Sequence, residues 1–374
     1  MIYIVVFLIS TFNIYLSEYY YRKGQKTEGK VFALLCIIIL SVFAGIRDIN
    51  VGTDVQYYLV GQFNRTALFP NNLFEYLLYM INVEEAEPLY AILQYVGYHL
   101  FHSIHFVMLI LSLITNSFAY FGLKKMSKDI EITFGWMLYC LLLFNVSLNI
   151  VRQTCAIAIV WYLVVSFSQK NIKPLKYIVL LLVAAGFHRT ALLIGPILTI
   201  LMYSFQTGKK IMSSVAAWVI CLFPFMFRIL PGIFMSISGL PTKYLVYFSN
   251  MYTDQSSILL DAVVYLMPTI ILAYLYFKKR RSEKQQLGFY LMLSISTVSC
   301  CIASNLFVNR LSYYFIIFFC YTVPYTSRII SKRNMGRLVY SIAMLFWFGI
   351  MWFINIVFFG YGQTYPYIVG DWLN

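Results

Sequence analysis

The chain has 374 residues, of which 61% are hydrophobic and 11% charged, with a mean hydropathy of +0.76. A soluble domain carries roughly 25% charged residues, so the composition excludes an ordinary soluble protein and describes a polytopic membrane protein. The net charge of +14 would suggest nucleic acid in a soluble chain. Here it sits in connectors between apolar runs, so it sets topology, and no nucleic-acid partner is expected.

Apolar runs of about 17 to 25 residues recur from end to end, each long enough to cross a hydrocarbon core of roughly 30 Å as a helix. Residues 1–16 carry no basic lead segment and no small-residue cleavage site before Glu18, which predicts a retained helix and a mature chain starting at Met1. Spans are predicted over residues 1–17, 31–46, 104–123, 131–150, 153–168, 175–187, 189–205, 211–227, 258–277, 287–307, 311–329 and 338–359. The expected fold is therefore an all-α integral membrane protein of about 12 transmembrane helices, a single polytopic domain over residues 1–374. Residues 89–101 are apolar but too short to cross, and are read as a re-entrant or interfacial helix inside an outer segment, 47–103. A second outer loop, 228–257, is broken by Pro231, Gly232, Gly239 and Pro241.

Six basic connectors, at residues 22–30, 124–128, 170–176, 209–210, 278–284 and 328–337, hold 21 of the 28 Lys and Arg residues. Placing them all in the cytoplasm puts both termini outside and leaves seven cations on the outer face. Four of those, Arg47, Arg152, Arg189 and Arg310, abut helix ends rather than lying in open loop. An arginine beside apolar sequence is costly unless it pairs or binds an anion, and its planar fork fits phosphate oxygens.

The densest polar run contains Arg47, Asp48, Gly52, Thr53, Asp54, Tyr57 and Tyr58. Gly52 and Thr53 supply a tight turn and donors suited to an anionic group. Arg152 is followed by Gln153, His188 by Arg189, and Asn309 by Arg310. Among the outer carboxylates, Asp54 and Glu87 lie nearest apolar structure. A desolvated carboxylate or a neutral histidine there would take a proton from a sugar hydroxyl while arginines stabilise a departing pyrophosphate. An Asp54–Arg47 ion pair is the purely structural alternative. Tyr57, Tyr58, Tyr313 and Tyr314 would stack on sugar rings or belong to an aromatic belt.

His99, His102 and His105 have a metal-like spacing but no carboxylate among them, so no metal is expected there. The seven cysteines fall inside apolar spans with no C-x-x-C pair and read as packing residues. With no Walker sequence, dinucleotide fingerprint or H-E-x-x-H, an ATP-driven pump, a redox enzyme and a zincin have no support, and no cofactor is expected.

Residues 44–58, carrying Arg47, Asp48, Gly52, Thr53, Asp54 and Tyr58, resemble the signature of the EpsG-like branch of Wzy-type polysaccharide polymerases. So do Glu87, Pro88 and Tyr90 ahead of the short helix, then Val151, Arg152 and Gln153, then Phe187, His188, Thr190 and Ala191, then Asn309, Arg310 and Tyr313. These motifs recur in family order over about residues 30–320. The resemblance implies a multi-helix fold similar to the lipid-linked GT-C group, working on the outer (periplasmic) face of a bacterial cytoplasmic, or inner, membrane. It implies a glycosyltransferase that joins undecaprenyl-pyrophosphate-linked oligosaccharide repeat units into O-antigen, capsular or exopolysaccharide. Membrane lipids and a chain-length regulator protein are the further partners implied.

On that basis Arg47, Arg152 and Arg310 would bind pyrophosphate, Asp54 or His188 would be the base, and Asp48, Thr53, Tyr57, Glu87, Gln153 and Arg189 would contact substrate. Many relatives carry a small hydroxylated residue directly after the histidine, where this chain has Arg189. A flippase for a lipid-linked oligosaccharide and a ligase-like transferase are the competing readings. A flippase predicts charge at mid-membrane depth and often repeat symmetry, and the sequence displays neither.

Overall fold

The computed structural model describes residues 2–371 except 71, 170–171, most of 209–254, 280, 303–305 and 332. Helix α1 (Ile2–Arg22) turns at Gly24 into α2 (Lys26–Gly45), and the two pack along their length. Along α1 the buried residues Tyr3, Phe7, Ser10, Ile14 and Ser17 recur at alternating spacings of four and three, which places them on one stripe. Leu8, Phe12 and Tyr15 on the opposite side are exposed, the pattern of a helix with protein on one face and lipid on the other.

Helix α6 (Ile104–Lys125) packs against α2 and against α9 (Val151–Ser168), which is buried along nearly its whole length and also carries α10 (Pro174–Phe187) and α11 (Thr190–Thr207). Between α6 and α9 runs one interrupted rod: α7 (Ile132–Tyr139), a π-helical turn over Cys140–Phe144, and α8 (Asn145–Asn149). The C-terminal part comprises α12 (Gln255–Lys278), α13 (Arg281–Ile302), α14 (Leu306–Ile316), α15 (Phe319–Ile330) and α16 (Asn334–Trp352), which continues as a π-helical segment, Phe353–Phe358.

Among the described residues eight helices are long and apolar enough to cross a membrane, and Pro174–Phe187 and Ala262–Lys278 are shorter apolar helices. The all-α membrane architecture read from the hydrophobic runs is therefore present. One predicted span, 311–329, is two helices, because the chain breaks between Ile316 and Phe319. Most of the predicted span 211–227, and nearly all of the loop 228–257, lies outside the described residues.

The end of α1 and the basic connectors at 124–128 and 328–337 meet at one end of the bundle. The Glu18 carboxylate accepts from Ile132 N and Thr133 N, both at 2.9 Å, which satisfies the first amides of α7. Lys124 Nζ reaches Tyr21 at 2.7 Å, and Arg328 donates to the Lys128 carbonyl at 2.7 Å.

At the opposite end the segment after α2 is helical rather than a plain loop. It holds a π-helical turn, Val55–Val60, then α3 (Gly61–Arg65) and α4 (Leu73–Asn82), the last capped by Asn72 accepting from Glu75 N at 3.1 Å. Helix α5 (Pro88–His99) follows. Its 12 residues reach only about 18 Å, too short for a roughly 30 Å core. Gln94, buried in α5, donates to Tyr90 at 2.6 Å and accepts from Tyr76 at 3.2 Å, and so ties α4 to α5.

The chain's last stretch then folds over this same end. Asp48 N donates to the Ile368 carbonyl and Gly370 N to the Ile46 carbonyl, at 2.8 and 2.9 Å, so residues 46–48 and 368–370 bridge antiparallel around Arg47 and Val369.

Candidate active site

Four chain breaks converge at that end: the turn after α2, the start of α5, the α8–α9 junction and the α10–α11 junction. The first turn of α14 joins them. The α8–α9 junction is the hub. Asn149 Oδ1 accepts from Asp54 N at 2.8 Å and from Thr53 Oγ1 at 3.1 Å, so one amide fixes the turn that carries Asp54. Gly52 lets that turn approach. Its φ is +106°, and a Cβ there would stand 2.7 Å from the Leu148 carbonyl oxygen, a conformation and a contact that L side chains avoid.

Two carboxylate–guanidinium pairs meet the resulting cleft, one through Asp54 and Arg310 and the other through Arg152. Arg310 Nη2 lies 2.9 Å from Asp54 Oδ1, both about one-fifth exposed. Arg152 Nη1 lies 2.8 Å from Glu87 Oε2, whose side chain is 2% exposed. Glu87 precedes Pro88 at the N-terminus of α5, and its other oxygen accepts from Arg189 N at 3.4 Å. The Arg152 guanidinium also lies 4.8 Å from the Tyr90 ring centroid. Burial pushes the Tyr90 phenol up, with the neighbouring Arg152 charge acting in the opposite direction. Gln153 Nε2 donates to the Arg310 carbonyl at 2.8 Å, while its Oε1 is buried with no hydrogen-bond partner among the described residues.

His188 completes the wall. Its Nδ1 lies 2.7 Å from Thr190 Oγ1, which in turn lies 2.9 Å from the Tyr314 hydroxyl, so α11 and α14 orient the ring together. Asp54, Tyr58, Tyr90, Asn149, Arg152, Gln153, His188 and Arg310 all line one cleft. Chemically it offers two cations, each held by a carboxylate, an imidazole on a hydroxyl relay and a buried amide oxygen. That set has the chemistry to hold a multiply charged anion and to accept a proton beside it.

Arg47 is the main correction to the sequence reading. Expected as a phosphate ligand, it is 1% exposed and does not line the cleft. Its donors go to backbone carbonyls of three segments: Ala44, Val51 at 3.3 Å and Leu148 at 2.9 Å. It thus satisfies carbonyls at two helix ends and the turn between them. Burial pulls its guanidinium down to about 10, opposed by Tyr3 and Tyr367, so it stays protonated at neutral pH. Asp54 pairs with Arg310, not with Arg47.

Asp48 accepts from its own neighbour Asn50, at 2.8 Å from both the backbone and side-chain nitrogens, and shapes the turn without lining the cleft. Tyr57 is 77% exposed and outside the cleft, and the adjacent Tyr58 lines it instead. Thr53, Glu87 and the Arg189 backbone brace the walls. Tyr58 and Tyr314, read as sugar-stacking or belt residues, and Tyr90 and Thr190, quoted within the motifs, complete the constellation together with Asn149, which the sequence reading gave no role. Asn149 stands three residues before Arg152, and that proximity was the available signal.

The histidines of the 99–105 stretch lie apart from the cleft. His105 Nδ1 is 2.9 Å from the Gly45 carbonyl, and His99 lies against Tyr95 at 4.2 Å between ring centroids. The family model described as EpsG family matches residues 30–369 of the chain. No curated protein and no solved structure matches it.

Proposed function

The chain belongs to the EpsG family, whose members are Wzy-type, and from that premise we propose that the cleft is the active site of a polysaccharide polymerase. Membership itself suggests a membrane glycosyltransferase-like role and a lipid-linked saccharide substrate. The finer reading is that the cleft binds undecaprenyl-pyrophosphate-linked repeat units on the outer face of the cytoplasmic membrane.

The observation that carries this reading is that one cleft holds Arg310 paired with Asp54 and also Arg152, itself paired with Glu87. A pyrophosphate entering between the two guanidiniums offers Arg310 a more highly charged partner than Asp54. Asp54 is then released as the carboxylate base beside the anion it has made room for. The acceptor hydroxyl oxygen attacks the anomeric carbon of the growing chain and gives its proton to Asp54. The bond from that carbon to the pyrophosphate oxygen breaks, and lipid pyrophosphate leaves with the electron pair, its charge held by Arg152 and Arg310. His188, held through Thr190 and Tyr314, positions the acceptor. Gln153 offers its Oε1 to a sugar hydroxyl. Glu87 stays bound to Arg152 throughout, because a carboxylate so buried needs its counter-ion.

Inorganic pyrophosphate tests this directly. It is expected to inhibit chain extension by competing with the lipid-linked donor, and to do so far less in Arg310→Ala than in the unaltered protein. Equal inhibition of both would remove Arg310 from the anion site.

A further inference from the structure

A second cavity, of about 660 Å³ including its open mouth, lies along α14 next to the arginine cleft. The two are immediate neighbours, since Asn309 lines this cavity and Arg310 lines the cleft. We propose that it is a saccharide subsite that takes an uncharged sugar ring of the lipid-linked substrate. The choice of saccharide rests on the polymerase reading above.

Three observations point there. First, among the described residues no charged side chain lines the cavity, which favours a neutral ligand over a phosphate. Second, beside its apolar residues the lining carries rings and short polar groups together: Tyr313, Tyr361 and Trp352 with Asn309, Ser312 and Asn355. A sugar presents apolar C–H faces to rings and hydroxyls to amides. A prenyl chain has no donor to offer the buried Asn309 oxygen. Asn309 Oδ1 is buried with no hydrogen-bond partner among the described residues, an acceptor placed for a hydroxyl donor. Trp352 is held in place by its Nε1 donating to Asn145 Oδ1 at 2.8 Å.

Third, the backbone is distorted at this cavity. Leu141 and Leu142 come from the π-helical turn Cys140–Phe144, and Asn355 and Ile356 from the π-helical segment Phe353–Phe358. The other π-helical segment among the described residues, Val55–Val60, lines the arginine cleft through Tyr58 and Leu59. Such bulges weaken a helix's own ladder and recur where a helix must turn side chains toward a ligand. All three serve these two adjoining cavities.

The test uses the free oligosaccharide released by mild acid from the host's lipid-linked repeat unit, titrated calorimetrically into the detergent-purified full chain. Saturable binding is expected, unchanged by saturating inorganic pyrophosphate, and weakened about tenfold or more by Asn309→Leu and by Asn355→Leu. Retained pyrophosphate binding in each Asn→Leu variant shows that it is folded. Displacement of the saccharide by pyrophosphate would place the sugar in the arginine cleft, and displacement by a prenyl alcohol would make the cavity a lipid groove. Either result overturns the proposal, as does wild-type-like binding in both Asn→Leu variants. A protein that binds the saccharide through these asparagines but extends no chain would remove the polymerase reading and leave the subsite standing.

Discussion

Replacing Arg152 by methionine strands the Glu87 carboxylate, whose side chain is 2% exposed and whose ionic partner is Arg152 at 2.8 Å. A buried charge that loses its partner costs about 3–5 kcal/mol, so Arg152→Met alone is expected to unfold far more easily than the unaltered protein. Adding Glu87→Gln removes the stranded charge while keeping the shape and the acceptor for Arg189 N. The double variant then lacks the ion pair and the contact between Arg152 and Tyr90, and it is expected within about 2 kcal/mol of the parent. Chain extension behaves differently. If Arg152 holds charge developing on the leaving pyrophosphate, its loss costs about 100- to 1,000-fold, whether or not Glu87 is also changed. Thermal unfolding in detergent and the extension rate per folded molecule separate the two effects. A double variant that regained both stability and extension would refute the reasoning, because Arg152 would then serve Glu87 and not the substrate.

Other perturbations test the scaffold and the histidine relay. Arg47→Met leaves three carbonyls without a charged donor and is expected to cost about 4 kcal/mol. It should be read as a loss of monodisperse protein on gel filtration, whereas a fully folded but inactive Arg47→Met would restore Arg47 as a ligand. Gly52→Ala forces a side chain into positive φ against the Leu148 carbonyl, for which about 1–3 kcal/mol is expected. An unchanged Tm would show that the turn is not held as described. Thr190→Val removes the hydroxyl between His188 and Tyr314. Extension should fall about ten- to hundredfold at nearly constant Tm, and an unaffected rate would take His188 out of the reaction.

The helices were legible because a membrane span has little latitude: each apolar run had to be long enough, and the cations had to stay out of lipid. Contacts such as Arg328 to Lys128 show connectors distant in sequence meeting at one end. The candidate cleft was legible as a set of motifs, since Asp54, Arg152, Gln153, His188 and Arg310 line it together. Their division of labour was not. An arginine at a helix end can bind an anion or satisfy carbonyls, and only the fold decides, as Arg47 shows by doing the second. Asn149 left no mark because a neutral amide at a helix junction costs little wherever it faces, so nothing in the sequence flags it. Tyr58 rather than Tyr57 lines the cleft because the chain there is π-helical, which changes the register along the turn. The C-terminal bridge to residues 46–48 depends on backbone groups, which every residue carries.

The most direct measurement is extension of lipid-linked repeat units by the purified chain in liposomes without ATP. A ladder of longer saccharides, lost together with Arg310→Ala and with the Glu87→Gln, Arg152→Met pair, is the predicted result. Repeat units that cross the bilayer without lengthening, or a ladder that survives loss of both guanidiniums, would contradict it.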